Sequence, residues 1–186
     1  MPMTRDEAVA LLKQHIQDER MLNHSCAAEA VMRSLAHRLG QDEDKWGLAG
    51  LLHDLDLERV RGDLTVHGLE AARILTEKGV DPEVVEAVKM HNERVAGTKR
   101  ETVFQHALAA GETITGLISA TALVYPDKKL AGVKVKSVTK RMNEKAFAAS
   151  VNRETILECE KIGIPLDEFA EIALKAMQDI HEQLGL

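Results

Sequence analysis

DKWGLAGLLHDL, residues 44–55, is the most informative segment of this sequence. Its apolar side chains recur at helical spacing, and it closes with the adjacent pair His53 and Asp54. Gly47 and Gly50 lower its helix propensity, but they allow a neighbouring helix to approach closely. We therefore expect a packed helix whose end presents an imidazole and a carboxylate.

Helical patterns precede this segment. Thr4 and Glu7 match a capping box, in which each side chain satisfies a free backbone N–H group at a helix start. The first helix is expected to run to about residue 17. A second helix is expected over residues 22–39, because Gly40 suits the left-handed position after a helix end.

Helical patterns also follow the segment. Residues 55–64 are mostly polar or charged, which predicts an exposed loop, and helical periodicity resumes over residues 66–78. Asp81 and Pro82 are typical of the cap and first position of another helix. Residues 101–124 form a long Ala-rich pattern that predicts either one kinked helix or two helices.

The C-terminal part continues the helical character. Residues 128–145 are locally basic and predict a loop and a short helix. Asn152 suits the cap of a helix that Gly163 ends. Apolar residues at every third or fourth position over residues 166–184 predict one long amphipathic helix.

Composition favours an all-α protein and argues against several other classes. The chain has 186 residues but only three Phe, one Tyr and one Trp, so aliphatic side chains typical of helices must build the core. We expect seven to nine helices in one domain, residues 1–186. Two cysteines allow neither a disulfide framework nor a four-thiolate zinc site.

Charge and hydropathy suggest the surroundings of the protein. A net charge of −6 argues against a duplex nucleic acid partner. No signal-peptide pattern is present, and no apolar run approaches the ~20 residues of a membrane span. We therefore expect a cytoplasmic protein with no membrane partner.

Five titratable side chains continue the apolar faces of five predicted helices: His24, His53, His67, His91 and Glu112. A lone histidine on such a face is usually a hydrogen-bonded core residue. Five together need partners, because burying ionisable groups is costly, and a divalent cation satisfies imidazoles and carboxylates at once. Nitrogen and oxygen ligands without thiolate favour Mn, Fe, Co, Ni, Mg or a catalytic Zn.

The order of these residues resembles a known family. His24, the segment GLLHDL at residues 50–55 and a distant carboxylate are similar to the HD-domain superfamily of metal-dependent phosphohydrolases, within it the small HDIG-domain proteins. The resemblance covers about residues 20–120 and implies a compact helical HD-domain fold, with residues 126–186 as a C-terminal helical extension. It implies that His24, His53 and Asp54 ligate one metal ion.

The last ligand of that ion is expected on the helix that contains Glu112, where the family usually has aspartate. Members that bind two ions use further histidines, and His67 and His91 match these in position and order. Asp54 would then bridge the ions. The alternative is a single ion, with both histidines acting on the substrate. Asp56, where many relatives have glycine, is either a solvated loop acid or an additional polar contact in the site.

Basic side chains are candidates for contacts with a phosphate group. Those singled out are Arg94, Lys99, Lys128 and Lys129. The alternative interpretation is that these residues belong to a solvated surface segment without a role in binding. No phosphate-binding glycine motif accompanies them.

The resemblance implies a reaction as well as a fold. It implies hydrolysis of a nucleotide or another small phosphoester by metal-activated water, with catalytic roles for Asp54, His67 and His91. One alternative is a di-iron oxygenase of the HD-domain type. Another is a non-catalytic regulatory module that binds metal and nucleotide.

Overall fold

The computed structural model describes residues 3–92, 94, 97 and 99–186, and this part of the chain contains ten α-helices and no strand. The helices are α1 (Arg5–His15), α2 (Glu19–Leu39), α3 (Glu43–Leu52), α4 (Leu69–Glu77), α5 (Pro82–His91), α6 (Val103–Leu123), α7 (Val135–Arg141), α8 (Arg153–Ile156), α9 (Leu166–Asp179) and α10 (His181–Leu184). Two 3₁₀ segments cover Leu130–Gly132 and Leu157–Ile162. The all-α prediction is confirmed. The helix number exceeds seven to nine because α8 and α10 are single turns.

Several helix ends lie where local sequence signals predict them. The Glu7 carboxylate accepts a hydrogen bond from the Thr4 N–H at 2.7 Å, and Thr4 Oγ1 accepts one from the Glu7 N–H at 3.3 Å. Gly40 adopts a left-handed φ of 65° after α2. Asp81 accepts from the Glu83 N–H at the start of α5. These caps depend on neighbouring residues, which is why the sequence reveals them.

Three other boundaries show where the local pattern is insufficient. Residues 103–123 form a single helix, which resolves the open alternative for α6. The helix predicted from residue 66 begins only at Leu69, because Gly68 has a non-helical φ of 95°. The predicted long C-terminal helix is divided at Ile180, whose φ of −115° and ψ of 21° lie outside the helical range.

The prediction of an exposed loop over residues 55–64 is wrong for its first half. Leu55 and Asp56 are fully buried. Glu58 Oε1 accepts hydrogen bonds from the backbone N–H groups of Gln17 and Asp18, just before α2, at 2.9 and 2.8 Å. Polar residues of this segment thus have partners in distant parts of the chain, which the local pattern does not show.

Close packing of α3 and α6 against α2 brings together the helices that carry several of the candidate site residues. α2 packs most extensively against α3 and α6. A Cβ atom added at Gly50 would lie 2.6 Å from the Ala28 carbonyl oxygen, so only glycine permits this approach of α3 to α2. A Cβ added at Gly111 of α6 would lie 3.2 Å from the sulfur of Met32, in the interface between α6 and α2. The two glycines thus allow α3 and α6 to pack closely against α2.

The C-terminal extension shares the same apolar core. Ile156, Phe169 and Met177 are fully buried within the cluster that includes residues of α2 and α6. α9 packs against α2, α6 and α7, and the 3₁₀ segment Leu157–Ile162 packs against α6. Among the helices described, none combines the length and apolar character needed to cross a membrane.

Candidate metal centre

The structure brings six of the predicted side chains to one place between α2, α3, α5 and α6. Within each of two groups, the potential ligand atoms lie within 4.8 Å of one another. The first group is His24, His53 and Glu112, and the second is Asp54, His67 and His91. The residues are separated by up to 88 positions, so tertiary packing creates both groups.

Asp54 lies between the two groups and presents one carboxylate oxygen to each. Its Oδ2 atom is 3.5 Å from His24 Nε2 and 3.3 Å from His53 Nε2. Its Oδ1 atom is 3.1 Å from His67 Nε2 and 3.5 Å from His91 Nε2. This is the arrangement expected of a carboxylate that could bridge two cations.

Two of the histidines are oriented by carbonyl groups of their own chain segment. His53 Nδ1 donates a hydrogen bond to the Gly50 carbonyl oxygen at 2.7 Å. His91 Nδ1 donates to the Val88 carbonyl oxygen. Because a carbonyl oxygen only accepts, both rings carry a proton on Nδ1. The Nε2 atoms of both rings therefore face Asp54 and are available as ligands.

Thr115 orients His24 in the same way. The Thr115 hydroxyl donates to the Glu112 carbonyl oxygen at 2.6 Å and lies 3.0 Å from His24 Nδ1. Because its one proton is used, Thr115 Oγ1 accepts from His24 Nδ1–H. This contact again directs the ligand nitrogen, Nε2, towards the centre. Thr115 was not a candidate from the sequence, although it lies one helical turn after Glu112.

Asp56 is the partner of His67. Its Oδ1 atom accepts from His67 Nδ1 at 2.7 Å, and its Oδ2 atom accepts from the backbone N–H groups of Gly68 and Ala71 at 2.8 and 2.9 Å. The expectation of a solvated loop acid is therefore wrong, since Asp56 is fully buried. The start of α4 favours a carboxylate there, because its N-cap residue is Gly68, which has no side chain to accept from the free backbone N–H groups.

The donor chemistry of both groups fits a metal ion. His24 Nε2 and His53 Nε2 are 3.1 Å apart, and His67 Nε2 and His91 Nε2 are 3.0 Å apart. When both rings of a pair carry their proton on Nδ1, two nitrogen lone pairs face each other, and a cation resolves this repulsion. Ligand atoms at right angles around one ion, each ~2.1 Å from it, lie ~3 Å apart. The cluster could thus hold a divalent metal ion.

The charges within the cluster compensate one another. Burial opposes protonation of His53, but the Asp54 carboxylate raises the pKa of His53 to about 9. Burial also opposes protonation of His67, whose pKa is raised to about 9 by Asp54 and Asp56. Against its own burial, contact with His53 and the other imidazoles holds the pKa of Asp54 well below its usual range. Burial lowers the pKa of His24. Metal binding would therefore displace protons from the cluster.

Glu112 lies at the more exposed side of the centre. Its Oε2 atom is 3.7 Å from His24 Nε2, and its Oε1 atom accepts from the Thr113 hydroxyl at 2.6 Å. The side chains of His24 and Glu112 are 24% and 18% exposed, whereas that of Asp54 is 9% exposed. Solvent thus reaches the centre from the first group. A ligand role for Glu112 stays a prediction.

The four basic candidates lie on the surface. Arg94, Lys99, Lys128 and Lys129 are all exposed. Within the described part of the chain, no hydrogen bond or ion pair connects them to the six residues of the centre. Lys129 Nζ instead donates to the Gly185 carbonyl oxygen at 3.3 Å. Phosphate contacts by these residues stay a prediction.

Comparison with protein families agrees with this geometry. The model of the HD domain family matches residues 21–137, which is more than half of the chain. The matched segment includes all six residues of the two groups. Proteins of this family are mostly metal-dependent phosphohydrolases. The chain therefore belongs to the HD domain family.

Proposed function

We propose that this protein is a metal-dependent phosphohydrolase that acts on a nucleotide or another small phosphoester. The observation that carries the proposal is the position of Asp54, whose two oxygens each face a pair of imidazole nitrogens. Such a carboxylate is suited to bridging two ions that together activate water and stabilise a phosphoryl group.

The chain offers separate ligands for two ions. His24, His53, Asp54 and Glu112 would hold one ion, and Asp54, His67 and His91 would hold the other. Because Nδ1 of each histidine is engaged in a hydrogen bond, Nε2 is the ring atom that would bind an ion once any proton on it is displaced. Bound divalent ions supply a hydroxide near neutral pH and neutralise negative charge on the phosphoryl oxygens.

Burial favours ligand roles over substrate contacts for two histidines. The side chains of His67 and His91 are each 5% exposed, so a substrate has little access to them. We therefore assign both to the second ion and place the substrate on the more exposed side, at His24 and Glu112. There the carboxylate of Glu112 is close enough to solvent to accept a proton or to orient a water molecule.

The substrate class follows from charge as well as from the centre. Arg94, Lys99, Lys128 and Lys129 are the basic side chains that we propose for contacts with substrate phosphates. The net charge of −6 does not favour a large polyanion such as duplex nucleic acid. A small phosphorylated molecule, bound mainly through the ions, needs no wide basic surface.

Metal analysis and a substrate screen test the proposal. Protein purified without added metal is assayed for bound metals and then for hydrolysis of phosphoesters and nucleotides with Mn, Mg, Co and Ni. The variant Asp54→Ala is expected to lose bound metal and activity while circular dichroism stays helical. Asp179→Ala, which removes an exposed acid on α9, is the control and should match wild type.

The outcomes distinguish three possible functions: phosphohydrolase, oxygenase and non-catalytic regulatory module. Hydrolysis that requires Asp54 supports the proposal. Bound iron with uptake of oxygen and no hydrolysis would favour an oxygenase, and binding of metal and nucleotide without turnover would favour a regulatory module. Full retention of metal in Asp54→Ala would contradict the assigned site itself.

A further inference from the structure

A second buried charge cluster adjoins the end of α5, and its members are Arg100, His106 and Glu158. Arg100 Nε is 2.8 Å from Glu158 Oε2, and Arg100 Nη2 is 2.6 Å from Glu158 Oε1, which makes a bidentate ion pair. His106 Nδ1 lies 2.6 Å from Glu158 Oε2. The side chains of Arg100 and Glu158 are only 3% and 13% exposed. A paired and buried cluster of this kind has a defined geometry.

Arg100 connects this cluster to the end of α5. Its Nη1 atom donates to the carbonyl oxygens of Met90 and His91 at 3.0 and 3.1 Å. The last carbonyl groups of a helix lack partners within the helix, and a cation there also interacts favourably with the helix dipole. Arg100 therefore holds the final turn of α5, which ends at His91.

The position of that turn sets the position of a candidate ligand. His91 is the last residue of α5, and its ring is oriented by the Val88 carbonyl group one turn earlier. Its Nε2 atom is 3.0 Å from His67 Nε2 and 3.5 Å from Asp54 Oδ1. A shift of the final turn would therefore separate His91 from the other two members of the second group.

Glu158 comes from outside the part of the chain that defines the family. It lies in the 3₁₀ segment Leu157–Ile162, beyond the matched residues 21–137. This segment packs against α6, which carries His106 and Glu112. The C-terminal extension thus contributes a carboxylate that reaches the ligand helix α5 through one arginine side chain.

We propose that Glu158 is a positioning residue, which acts through Arg100 to hold His91 in place and so sets the affinity of the second metal position. The proposal rests on the proposed metal-binding function. It extends that function by making occupancy of the second position dependent on the C-terminal extension. The hydrogen bonds and ion pairs of Glu158 among the described residues are to Arg100 and His106, and none is to the first group, His24, His53 and Glu112.

The test compares Glu158→Gln with Glu168→Gln in the full chain. Glu168 is the control, because it also links the C-terminal extension to the rest of the domain. Its Oε1 atom lies 2.6 Å from Arg38 Nε, on α2. In Glu158→Gln the amide nitrogen cannot accept from Arg100 or His106, so the arginine loses part of its support. We expect the affinity of the second Mn²⁺ ion to fall up to about 10-fold, the lower end of the range for direct partners of metal ligands, because Glu158 acts one contact further away, through Arg100. The affinity of the first ion should be unchanged.

Titration with Mn²⁺ alone, monitored by calorimetry and by electron paramagnetic resonance, measures the affinities of both ions and their magnetic coupling without an activity assay. Magnetic coupling between two Mn²⁺ ions should persist in wild type and in Glu168→Gln and be lost in Glu158→Gln. Glu158→Asp, which keeps the charge, should restore part of the coupling. Equal weakening of both ions would indicate general destabilisation and would overturn the proposal, as would coupling of wild-type strength in Glu158→Gln.

A second variant covers the case in which Glu158→Gln does not fold. Arg100→Lys keeps the positive charge but loses the fork that contacts a carboxylate and two carbonyl groups together. It should show the same selective loss of the second ion, and two ions bound at wild-type affinity by Arg100→Lys would overturn the proposal. Wild-type protein that binds no metal contradicts the proposed function. Wild-type protein that binds only one metal contradicts the second position.

Discussion

The substitution Asp56→Asn should disable His67 as a ligand with little change in the shape of the site. Asp56 accepts from His67 Nδ1 with one oxygen and from the N–H groups of Gly68 and Ala71 with the other. Asparagine has a single side-chain oxygen. The two backbone N–H groups can only donate, so they require this oxygen as their acceptor. The amide NH₂ group must then face His67 Nδ1.

This contact would reverse the tautomer of His67. An N–H donor opposite Nδ1 is satisfied only when Nδ1 is unprotonated, so the ring proton moves to Nε2. Nε2 is the atom that faces Asp54 Oδ1 at 3.1 Å and would hold the second ion. A protonated Nε2 cannot bind a metal. The loss of metal affinity should therefore exceed the loss of folding stability.

The expected magnitudes follow from the contacts removed. Asp56→Asn replaces a charged acceptor by a neutral amide. Because hydrogen bonds to charged groups contribute about 1.5–3 kcal/mol and neutral ones about 0.5–1.5 kcal/mol, the free energy of unfolding should fall by about 1–1.5 kcal/mol. Loss of a carboxylate partner of a histidine ligand weakens metal binding about 10- to 100-fold. That change in the second dissociation constant corresponds to about 1.4–2.8 kcal/mol. The first ion, held by the other group, should keep its affinity.

Titration with Mn²⁺ measures the two dissociation constants, and urea unfolding of the metal-free protein measures stability. Asp63→Asn is the control, because Asp63 is exposed and its side-chain hydrogen bonds within the described part of the chain are local, to Thr65. It should leave both quantities unchanged. Two ions bound by Asp56→Asn with wild-type affinity would refute the tautomer argument.

Two further substitutions test the first group and the helix packing. Glu112→Gln should weaken binding of the first ion and slow hydrolysis, whereas Glu112→Asp should retain part of both. Metal dissociation constants and hydrolysis rates measure this, and wild-type values for Glu112→Gln would show that Glu112 is not a ligand. Gly50→Ala should lower the free energy of unfolding by about 1–3 kcal/mol, because its Cβ would lie 2.6 Å from the Ala28 backbone oxygen. Urea unfolding should show a clearly smaller effect for Gly132→Ala, where the nearest atom is 3.7 Å away, and equal effects would contradict the packing argument.

Local sequence signals were sufficient for the all-α class, for several helix ends and for the inward direction of the titratable residues. The Thr4 and Glu7 capping box and the Asp81 cap depend on residues two or three positions apart, so the sequence shows them directly. The helical period likewise predicts that His24 shares a face with Ala28 and other buried residues of α2. Resemblance to the HD-domain superfamily then connected the separated histidines, and the family match confirmed membership.

The partners of these residues depend on the packed chain. Asp56 appeared to be a loop acid, yet its three hydrogen bonds are to residues 11 to 15 positions later, around the start of α4. Glu158 meets Arg100 across 58 positions, and Asp54 divides its two oxygens between imidazoles that only tertiary packing brings together. Helical periodicity describes which side of a helix faces inward. Helical periodicity does not show which distant side chain a buried residue contacts. That partner is determined by how the helices cross and by the need to pair every buried charge.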